Sequence, residues 1–352
     1  MSHNPTIKIG LAVSGGIDSC YLMHFYARHN HSNIEYYVLS VDHGLRPESA
    51  LEVTQVLSWA SDLGLKAYRL NITAPKPQSG IQNFARNQRY ALLADAAKTH
   101  NLDYVYLGHH SDDQTETILS RLNHKSGYAG LCGMAEMFFY NNICFKRPLL
   151  NLSKAEINAN MRHYHYINDP SNDNQYYERV RNRYFLRDNL CLKTKLLKIS
   201  NNAKALYYPL LYQRNIFLEA YAEYSPYGYC RIQRDDFEKQ DALMQQEILK
   251  YAIKYATGNF YIKDLPPLTG KNFTISNAEI CFNKYHIFVY RENRGIIIND
   301  PKRFVIKNEK KEYPQENIPS KALKTLPNYH FIYKPQSLYY FVSIFNHFTK
   351  KL

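Results

Sequence analysis

A short segment near the N-terminus constrains the fold of this chain more than any other feature of its sequence. Residues 7–13, IKIGLAV, form an apolar run of strand length, and residues 14–19, SGGIDS, separate it from an apolar-periodic segment over 20–27. This order predicts a buried strand, then a tight glycine-rich turn, then a helix. A chain that begins in this way is expected to build an α/β fold around a parallel sheet.

The glycine-rich turn has the composition of a pyrophosphate-binding loop. Gly15 and Gly16 allow successive backbone N–H groups to face one anion, and the helix that follows adds its positive N-terminal end. Ser14 and Ser19 add hydroxyl donors. The turn is not a Walker loop, because GK[ST] does not follow the glycines. The alternative is a plain Gly–Ser turn that binds no ligand.

Strands and helices continue to alternate after this segment. Further strands are expected in YYVLSVDHGL, AYRLNI and DYVYLGHH, and further helices over 48–63, 80–99 and 112–122. The alternation predicts a doubly wound, mostly parallel sheet covered by helices. The sequence SKAE at 153–156 is a capping-box pattern, which predicts the start of another helix.

The alternation stops near residue 200, where a second, smaller and mainly helical domain is expected to begin. A helix is predicted over 235–256, because Met244, Ile248, Ala252 and Tyr255 form one apolar stripe. Residues 273–290 favour a pair of strands. The sequence therefore predicts a first domain over 1–195, a second over 200–290 and a short C-terminal region over 291–352.

The charge of the chain favours a polyanionic partner. Its 352 residues include 44 Lys and Arg against 31 Asp and Glu, which gives a formal net charge of +13. A protein this basic often binds nucleic acid or an anionic membrane, although a merely soluble surface is the alternative.

The cysteines and the apolar segments exclude several classes of protein. The six cysteines include no CxxC pair, which argues against a zinc ribbon or a cysteine-ligated iron–sulfur cluster. No run of 18 apolar residues predicts a membrane span, and the N-terminus lacks the pattern of a signal peptide. A cytoplasmic location with reduced thiols is therefore expected.

Six further motifs follow the glycine-rich turn. They are VDHGLRPES at 41–49, ARNQRY at 85–90, GHHSDDQTET at 108–117, SGYAGLCGM at 126–134, KRPLL at 146–150 and NDPSN at 168–172. SGGIDS resembles the signature of the PP-loop ATP pyrophosphatases, and the later motifs together resemble the tRNA(Ile)-lysidine synthetase family. The resemblance covers residues 7 to about 190 almost continuously, and it extends more weakly through the second domain.

The resemblance implies a PP-loop fold and an ATP-dependent ligase that modifies tRNA. ATP, with Mg²⁺, would adenylate the C2 oxygen of the wobble cytidine in the CAU anticodon of tRNA(Ile) and release pyrophosphate. The ε-amine of free L-lysine would then displace AMP, so that codon reading changes from AUG to AUA. The alternatives are another PP-loop enzyme such as a tRNA 2-thiolase, or a catalytically silent RNA-binding relative. The oligomeric state stays open, with a homodimer as one option.

The resemblance also implies roles for individual residues. ATP is expected to contact Ser14, Gly15, Gly16, Ile17, Asp18, Ser19 and His43, with Arg46 as a weaker candidate. The expected catalytic residues are Asp18, Arg89, His109, Asp113 and Glu116. Asp18 is also the candidate Mg²⁺ ligand, and Arg89 is expected near the ATP phosphates and the lysine carboxylate.

Asp113 and Glu116 are three residues apart on a predicted helix and therefore share one face. We expect them to bind the lysine ammonium and to help remove its proton, because the amine must attack in its neutral form. Two alternatives are a zinc site that includes His109 and His110, and an ordinary charged helix surface.

The segment RVRNRYFLR at 179–187 fits the family pattern, an Arg-Asn pair followed by further arginines, in two registers. One register uses Arg181 and Arg183 and meets Phe185 where an arginine is expected, whereas the other uses Arg183 and Arg187. Arg183 belongs to both and is the expected contact to lysine or to the tRNA backbone. A solvated start of a basic helix is the alternative.

The resemblance also assigns the two parts that follow the catalytic domain. It implies that the second domain binds tRNA and that the C-terminal region is a reduced form of a β-rich tRNA-binding domain. A basic stretch in that region could contact phosphate or could be a solvated charge run; it comprises Lys302, Arg303, Lys307, Lys310 and Lys311.

Overall fold

A computed structural model describes residues 6–29, 32–44, 48–75, 77–168, 176, 178–225, 229–258, 262 and 265–291. The chain divides into two compact units, Met1–Ala205 and Leu206–Leu352. The expected C-terminal region, except for Arg291, and the candidate nucleotide contact Arg46 lie outside the described residues.

The first unit is built on a six-stranded sheet with the order β3-β2-β1-β4-β6-β5. The strands are β1 (Ile7–Ala12), β2 (Ile34–Asp42), β3 (Lys66–Asn71), β4 (Tyr104–Leu107), β5 (Met137–Tyr140) and β6 (Ile143–Lys146). All neighbouring pairs are parallel except β5 and β6. The predicted doubly wound, mostly parallel sheet is confirmed.

Both faces of this sheet are covered, which explains why its strands are apolar runs. Ile9 and Leu11 of β1 pack into one hydrophobic cluster, whereas Leu39 of β2 and Val105 of β4 pack into another. The helices of this unit are α1 (Ile17–Arg28), α2 (Ser49–Asp62), α3 (Ile81–Thr99), α4 (Ser111–Asn123), α5 (Tyr128–Leu131), α6 (Lys154–Asn160) and α7 (Glu178–Leu186). α8 (Leu190–Tyr221) begins in the first unit and ends in the second.

The capping box predicted for α6 is present. The Glu156 N–H donates to the Ser153 hydroxyl at 3.2 Å, and the Ser153 N–H donates to the Glu156 carboxylate at 2.7 Å. Both groups satisfy backbone donors that the first helical turn leaves unpaired. The prediction of a helix start at this point is therefore confirmed.

The second unit combines helices with a five-stranded antiparallel sheet of order β7-β8-β11-β10-β9. Its strands are β7 (Ala222–Tyr224), β8 (Tyr229–Gln233), β9 (Phe273–Ile275), β10 (Ala278–Phe282) and β11 (His286–Arg291), and its helices after α8 are α9 (Arg234–Glu238) and α10 (Ala242–Thr257). The predicted strand pair is the β10–β11 hairpin. Strands β7 and β9 have three residues each, too few to show an alternating pattern.

The helix predicted over 235–256 is interrupted. Asp241 lies between α9 and α10, and its carboxylate accepts a hydrogen bond from the Met244 N–H at 2.9 Å. This contact caps a new helix, so the chain cannot continue through position 241 in one helical run. The predicted apolar stripe of α10 does face the core, where Met244, Ile248 and Ala252 are buried.

No helix among the described residues has the length and apolar character needed to cross a bilayer.

Candidate functional site

The order of the first sheet places the loops after β1 and β4 side by side. β1 pairs with β2 on one side and with β4 on the other, so the chain leaves β1 and β4 at a point where the strand order reverses. Ligand sites of open parallel sheets lie outside the carboxyl ends of the strands at such a point. The predicted site residues of both loops are thereby brought together.

The glycine-rich turn after β1 is held in shape by two serines. The Ser19 hydroxyl donates to the Gly16 carbonyl at 2.8 Å and accepts from the Ser14 N–H at 3.1 Å. Gly15 has a φ of +91°, and a Cβ there would lie 2.6 Å from a methyl carbon of Ile167. The turn is therefore a preformed loop at the N-terminus of α1 that only glycine allows. Its serines, glycines and helix end fit a triphosphate.

The end of β4 lies against the start of α1. A Cβ at Gly108 would lie 3.1 Å from the Asp18 carbonyl oxygen, so this close approach depends on the missing side chain. His110 follows and caps α4: its Nδ1 accepts from the Asp112 N–H at 3.2 Å, and its own N–H donates to Asp113 Oδ2 at 3.0 Å. The predicted pyrophosphate loop and the HHSDDQ segment are thus in direct contact.

His110 links the two acidic residues of this region. Its Nε2 lies 3.6 Å from Asp18 Oδ1 and 3.5 Å from Asp113 Oδ2. Burial opposes protonation of this histidine, but the neighbouring Asp18 and Asp113 outweigh burial and raise its pKa. A protonated His110 would bridge both carboxylates.

Asp18 also pairs with the ammonium group of Lys154, a residue that the sequence analysis left without a role. Burial would raise the pKa of Asp18, but hydrogen bonds and charge from His110 and Lys154 lower it to about 2. Mg²⁺ in nucleotide sites takes one or two carboxylates together with phosphate oxygens. Asp18 fits as one such ligand if it gives up Lys154. The described residues hold no group of three or more His, Cys, Asp or Glu that could bind a metal ion.

Asp113 and Glu116 share one face of α4, as predicted, and α7 lies over them. Arg179 Nε donates to Glu116 Oε2 at 2.8 Å, and its Nη2 pairs with Asp113 Oδ1. Arg183 Nε donates to Glu116 Oε1 at 2.8 Å. Burial would raise the pKa of Asp113, but His110 and Arg179 lower it, so the carboxyl group is ionised.

The structure selects neither register of the 179–187 segment, because Arg183, which contacts Glu116, belongs to both registers. Arg179 and Arg183 are four residues apart on α7, so one helix face carries both guanidinium groups to Glu116. Arg181 donates instead to the Tyr176 carbonyl at 2.7 Å, and Arg187 lies over the ring of Tyr184. Arg179 was not among the predicted site residues. No signal in the segment singles it out, because Arg183 and Arg187 have the same four-residue spacing.

His109 is partly buried beside Arg147, another residue without a sequence-based role. Arg147 Nε donates to His109 Nδ1 at 3.3 Å, and its guanidinium packs on the ring of Phe138. Burial lowers the pKa of His109 to about 3, and the charges of Arg147 and Arg89 act in the same direction against the opposing effect of Asp113. His109 is therefore neutral, with Nδ1 engaged as an acceptor.

Two other predicted residues bury polar atoms that lack partners. Within the part of the chain that the structure describes, His43 Nδ1 and Arg89 Nε have no hydrogen-bond partner. Burial lowers the pKa of both groups, and Arg89 adds to the effect on His43. Buried polar atoms are normally paired, so these two point to a ligand with complementary polar groups. They fit the predicted contacts to nucleotide or lysine.

Gln114 joins the GHHSDDQTET motif to the SGYAGLCGM motif. Its Oε1 accepts from the Met134 N–H at 2.7 Å, and its Nε2 donates to the carbonyls of Met134 at 3.2 Å and Cys132 at 3.3 Å. Gly133 has a φ of +68°, and a Cβ there would lie 2.8 Å from the Gln114 amide. Gln114 therefore ties the GLCGM loop to α4, next to Asp113.

Comparisons with known proteins match this chain to one family. The PP-loop domain family matches residues 1–191. The chain is 35% identical over 315 residues to a tRNA(Ile)-lysidine synthase of Wolbachia pipientis wMel, covering 82% of this chain and 72% of that protein. It is 33% identical to the one from Wolbachia sp. subsp. Brugia malayi (72% and 61% covered) and 42% identical to the one from Rhodopseudomonas palustris (50% and 52% covered). The chain thus spans roughly half to three quarters of the length of these relatives.

Proposed function

Because the chain belongs to the tRNA(Ile)-lysidine synthase family of PP-loop proteins, we propose that it forms lysidine in the anticodon of a tRNA(Ile). ATP would activate the C2 oxygen of the wobble cytidine, free L-lysine would then displace AMP, and the modified tRNA would read AUA instead of AUG. The observation that carries the proposal is the contact between the preformed loop after β1 and the acid–guanidinium cluster on α4 and α7.

The loop after β1 and the residues around it support the activation step. The backbone N–H groups after Ser14 in the glycine-rich turn and the N-terminus of α1 would bind the phosphates, while the Ser14 N–H holds the loop in shape. Asp18 would bind the Mg²⁺ that accompanies ATP, with Lys154 free to move to a phosphate oxygen. His43 and Arg89, with their unpartnered buried nitrogens, would take the remaining polar groups of nucleotide or lysine.

The cluster on α4 supports the lysine step. An amine with an ordinary pKa near about 10.4 is protonated at neutral pH and must lose a proton before it attacks. Asp113 and Glu116 would bind this ammonium and help remove its proton, because both are buried and Asp113 is held ionised. Arg183 would position Glu116 and contact lysine. His109 would act as a neutral hydrogen-bonding group, since burial lowers its pKa to about 3.

The test is incorporation of labelled lysine into tRNA in the presence of ATP. We would compare a tRNA(Ile) bearing CAU with a tRNA(Met) bearing the same anticodon, and use Asp113→Asn as the matched inactive variant. Incorporation into the tRNA(Ile) alone is the expected result. Pyrophosphate release that depends on tRNA, without lysine incorporation, would contradict lysine as the nucleophile. Tight tRNA binding with neither activity would identify a silent RNA-binding relative.

The homodimer and the cytoplasmic location stay predictions.

A further inference from the structure

Each of the four oxygens of the buried acidic pair already accepts a hydrogen bond. Asp113 Oδ2 accepts from the His110 N–H at 3.0 Å, and its Oδ1 pairs with Arg179. Glu116 Oε1 accepts from Arg183 and Oε2 from Arg179, each at 2.8 Å. Each oxygen has a second lone pair, but guanidinium groups already lie beside the pair and balance its charge. An incoming ammonium therefore competes with a cation that is already in place.

Arg179 is the donor whose departure would open the best ammonium site. Its Nε holds an oxygen of Glu116 and its Nη2 holds an oxygen of Asp113, so it bridges the two residues. Arg183 holds one oxygen only, and the His110 N–H belongs to the cap of α4. Release of Arg179 alone would free one oxygen on each carboxylate. Both oxygens would then line the space that its guanidinium group had filled. An ammonium group has three donors and can bridge such a pair.

Exposure shows that solvent reaches the acidic pair past its arginines. The side chains of Arg179 and Arg183 are 49% and 45% exposed, whereas those of Asp113 and Glu116 are 9% and 3% exposed. A cation that arrives from solvent therefore meets these arginines first, and of the two only Arg179 bridges both carboxylates. Half-exposed ion pairs are weak and exchange readily, but buried carboxylates without a cation are strongly disfavoured. These two facts favour the replacement of one cation by another.

Resting on the proposed function, we propose that Arg179 is an exchangeable counter-ion that the ammonium of the substrate lysine replaces. It keeps Asp113 and Glu116 ionised and in position until lysine arrives. It also sets specificity, because a ligand must bring a cation strong enough to compete with a guanidinium. A neutral amino acid of similar length would leave Arg179 in place and would not bind.

The test compares Arg179→Ala with Arg181→Ala, the same change on the opposite face of α7. Lysine incorporation is measured against lysine concentration at saturating ATP and tRNA, and thermal unfolding checks that each variant is folded. We expect Arg179→Ala to lower the KM for lysine about three- to tenfold, since a half-exposed pair no longer competes. Arg181→Ala should leave this KM within about twofold of the unmodified protein, a spread below the effect of one exposed pair.

A second measurement uses guanidinium chloride at low millimolar concentration as a probe of the vacated space. We expect guanidinium to compete with lysine in Arg179→Ala and not in Arg181→Ala, an effect that a merely structural role would not produce. An unchanged or raised KM in Arg179→Ala, or the absence of competition, would overturn the inference. If Arg179→Ala does not fold, Arg179→Lys is measured instead. A lysine side chain cannot bridge Asp113 and Glu116 as a guanidinium does, so the KM for substrate lysine should still fall. A rise in this KM would refute the exchange. If the unmodified protein incorporates no lysine, the proposed function fails and the inference fails with it.

Discussion

Replacement of Gly133 by alanine isolates the contribution of the Gln114 tie between α4 and the GLCGM loop. The backbone at Gly133 has a φ of +68°, and the new Cβ would lie 2.8 Å from the Gln114 amide. The side chain of Gln114 is buried and cannot move away without breaking its three hydrogen bonds to Cys132 and Met134. We therefore expect Gly133→Ala to destabilise the first unit and to impair the site next to Gln114.

The magnitude follows from two effects. An L-residue in the left-handed region costs about 1–2 kcal/mol. Each lost hydrogen bond adds about 1 kcal/mol, so the loss of two or three adds about 2–3 kcal/mol. Gly64 provides the control, because its φ of +70° is nearly the same and nothing lies within 4 Å of its Cβ position. Gly64→Ala should show only the backbone cost, about 1–2 kcal/mol.

The assay is urea unfolding of both variants, followed by a probe of the first unit, together with lysine incorporation. We expect the free energy of unfolding to fall by about 2–3 kcal/mol more in Gly133→Ala than in Gly64→Ala. Lysine incorporation should fall only in Gly133→Ala, because Gln114 is adjacent to Asp113. Equal destabilisation by the two substitutions would refute the reasoning, since it would show that Gln114 moves without loss of hydrogen bonds.

Three further predictions concern the loop and its neighbours. Lys154→Met should raise the pKa of Asp18 above about 2 in the nucleotide-free protein, and an unchanged pKa in an NMR titration of that carboxyl group would contradict the pairing. Because the pKa of Asp18 is lowered, its ionisation stabilises the fold at pH values above the ordinary pKa of an aspartate, and this stabilisation is lost as the pH falls toward 2. The pH dependence of the urea midpoint should show a smaller contribution of this kind in Lys154→Met. His109→Gln should leave the shape of the activity profile between about pH 5 and 7 unchanged, because a group with a pKa of about 3 does not titrate there, and a lost ionisation would count against its neutral state. Ser19→Ala removes the hydroxyl that joins Ser14 to Gly16 and should raise the KM for ATP about tenfold, because two neutral hydrogen bonds that shape the loop are lost at about 1 kcal/mol each. The KM is measured by pyrophosphate release, and an unchanged value would show that the loop keeps its shape without this hydroxyl.

The features that the sequence predicted correctly depend on local periodicity. The apolar run of β1 needs no distant partner to be recognised, because a strand covered on both faces is apolar throughout. The common face of Asp113 and Glu116 follows from their three-residue spacing alone. A turn with two glycines between a strand and a helix can likewise be recognised from the local sequence alone.

The features that were missed depend on partners far along the chain. Arg179 contacts Glu116 across more than sixty positions, and nothing in the RVRNRYFLR segment shows which arginine faces that carboxylate. Lys154 pairs with Asp18 over an even longer separation, so its role could not be read from the capping box beside it. The break between α9 and α10 was missed because Asp241 is compatible both with a helix surface and with a cap.

The carboxylate of Asp113 has two roles, and any substitution of this residue affects both. One oxygen of its carboxylate closes the capping box with His110, and the other meets α7 in the cluster assigned to lysine. A substitution that alters the chemistry of this residue also removes one of the two hydrogen bonds of the capping box, a loss of about 1 kcal/mol. An evolutionary change at this position would therefore affect both the stability of α4 and the binding of a substrate at the cluster. A related protein that used a different nucleophile would lose less stability through changes in α7 than through changes in the first turn of α4.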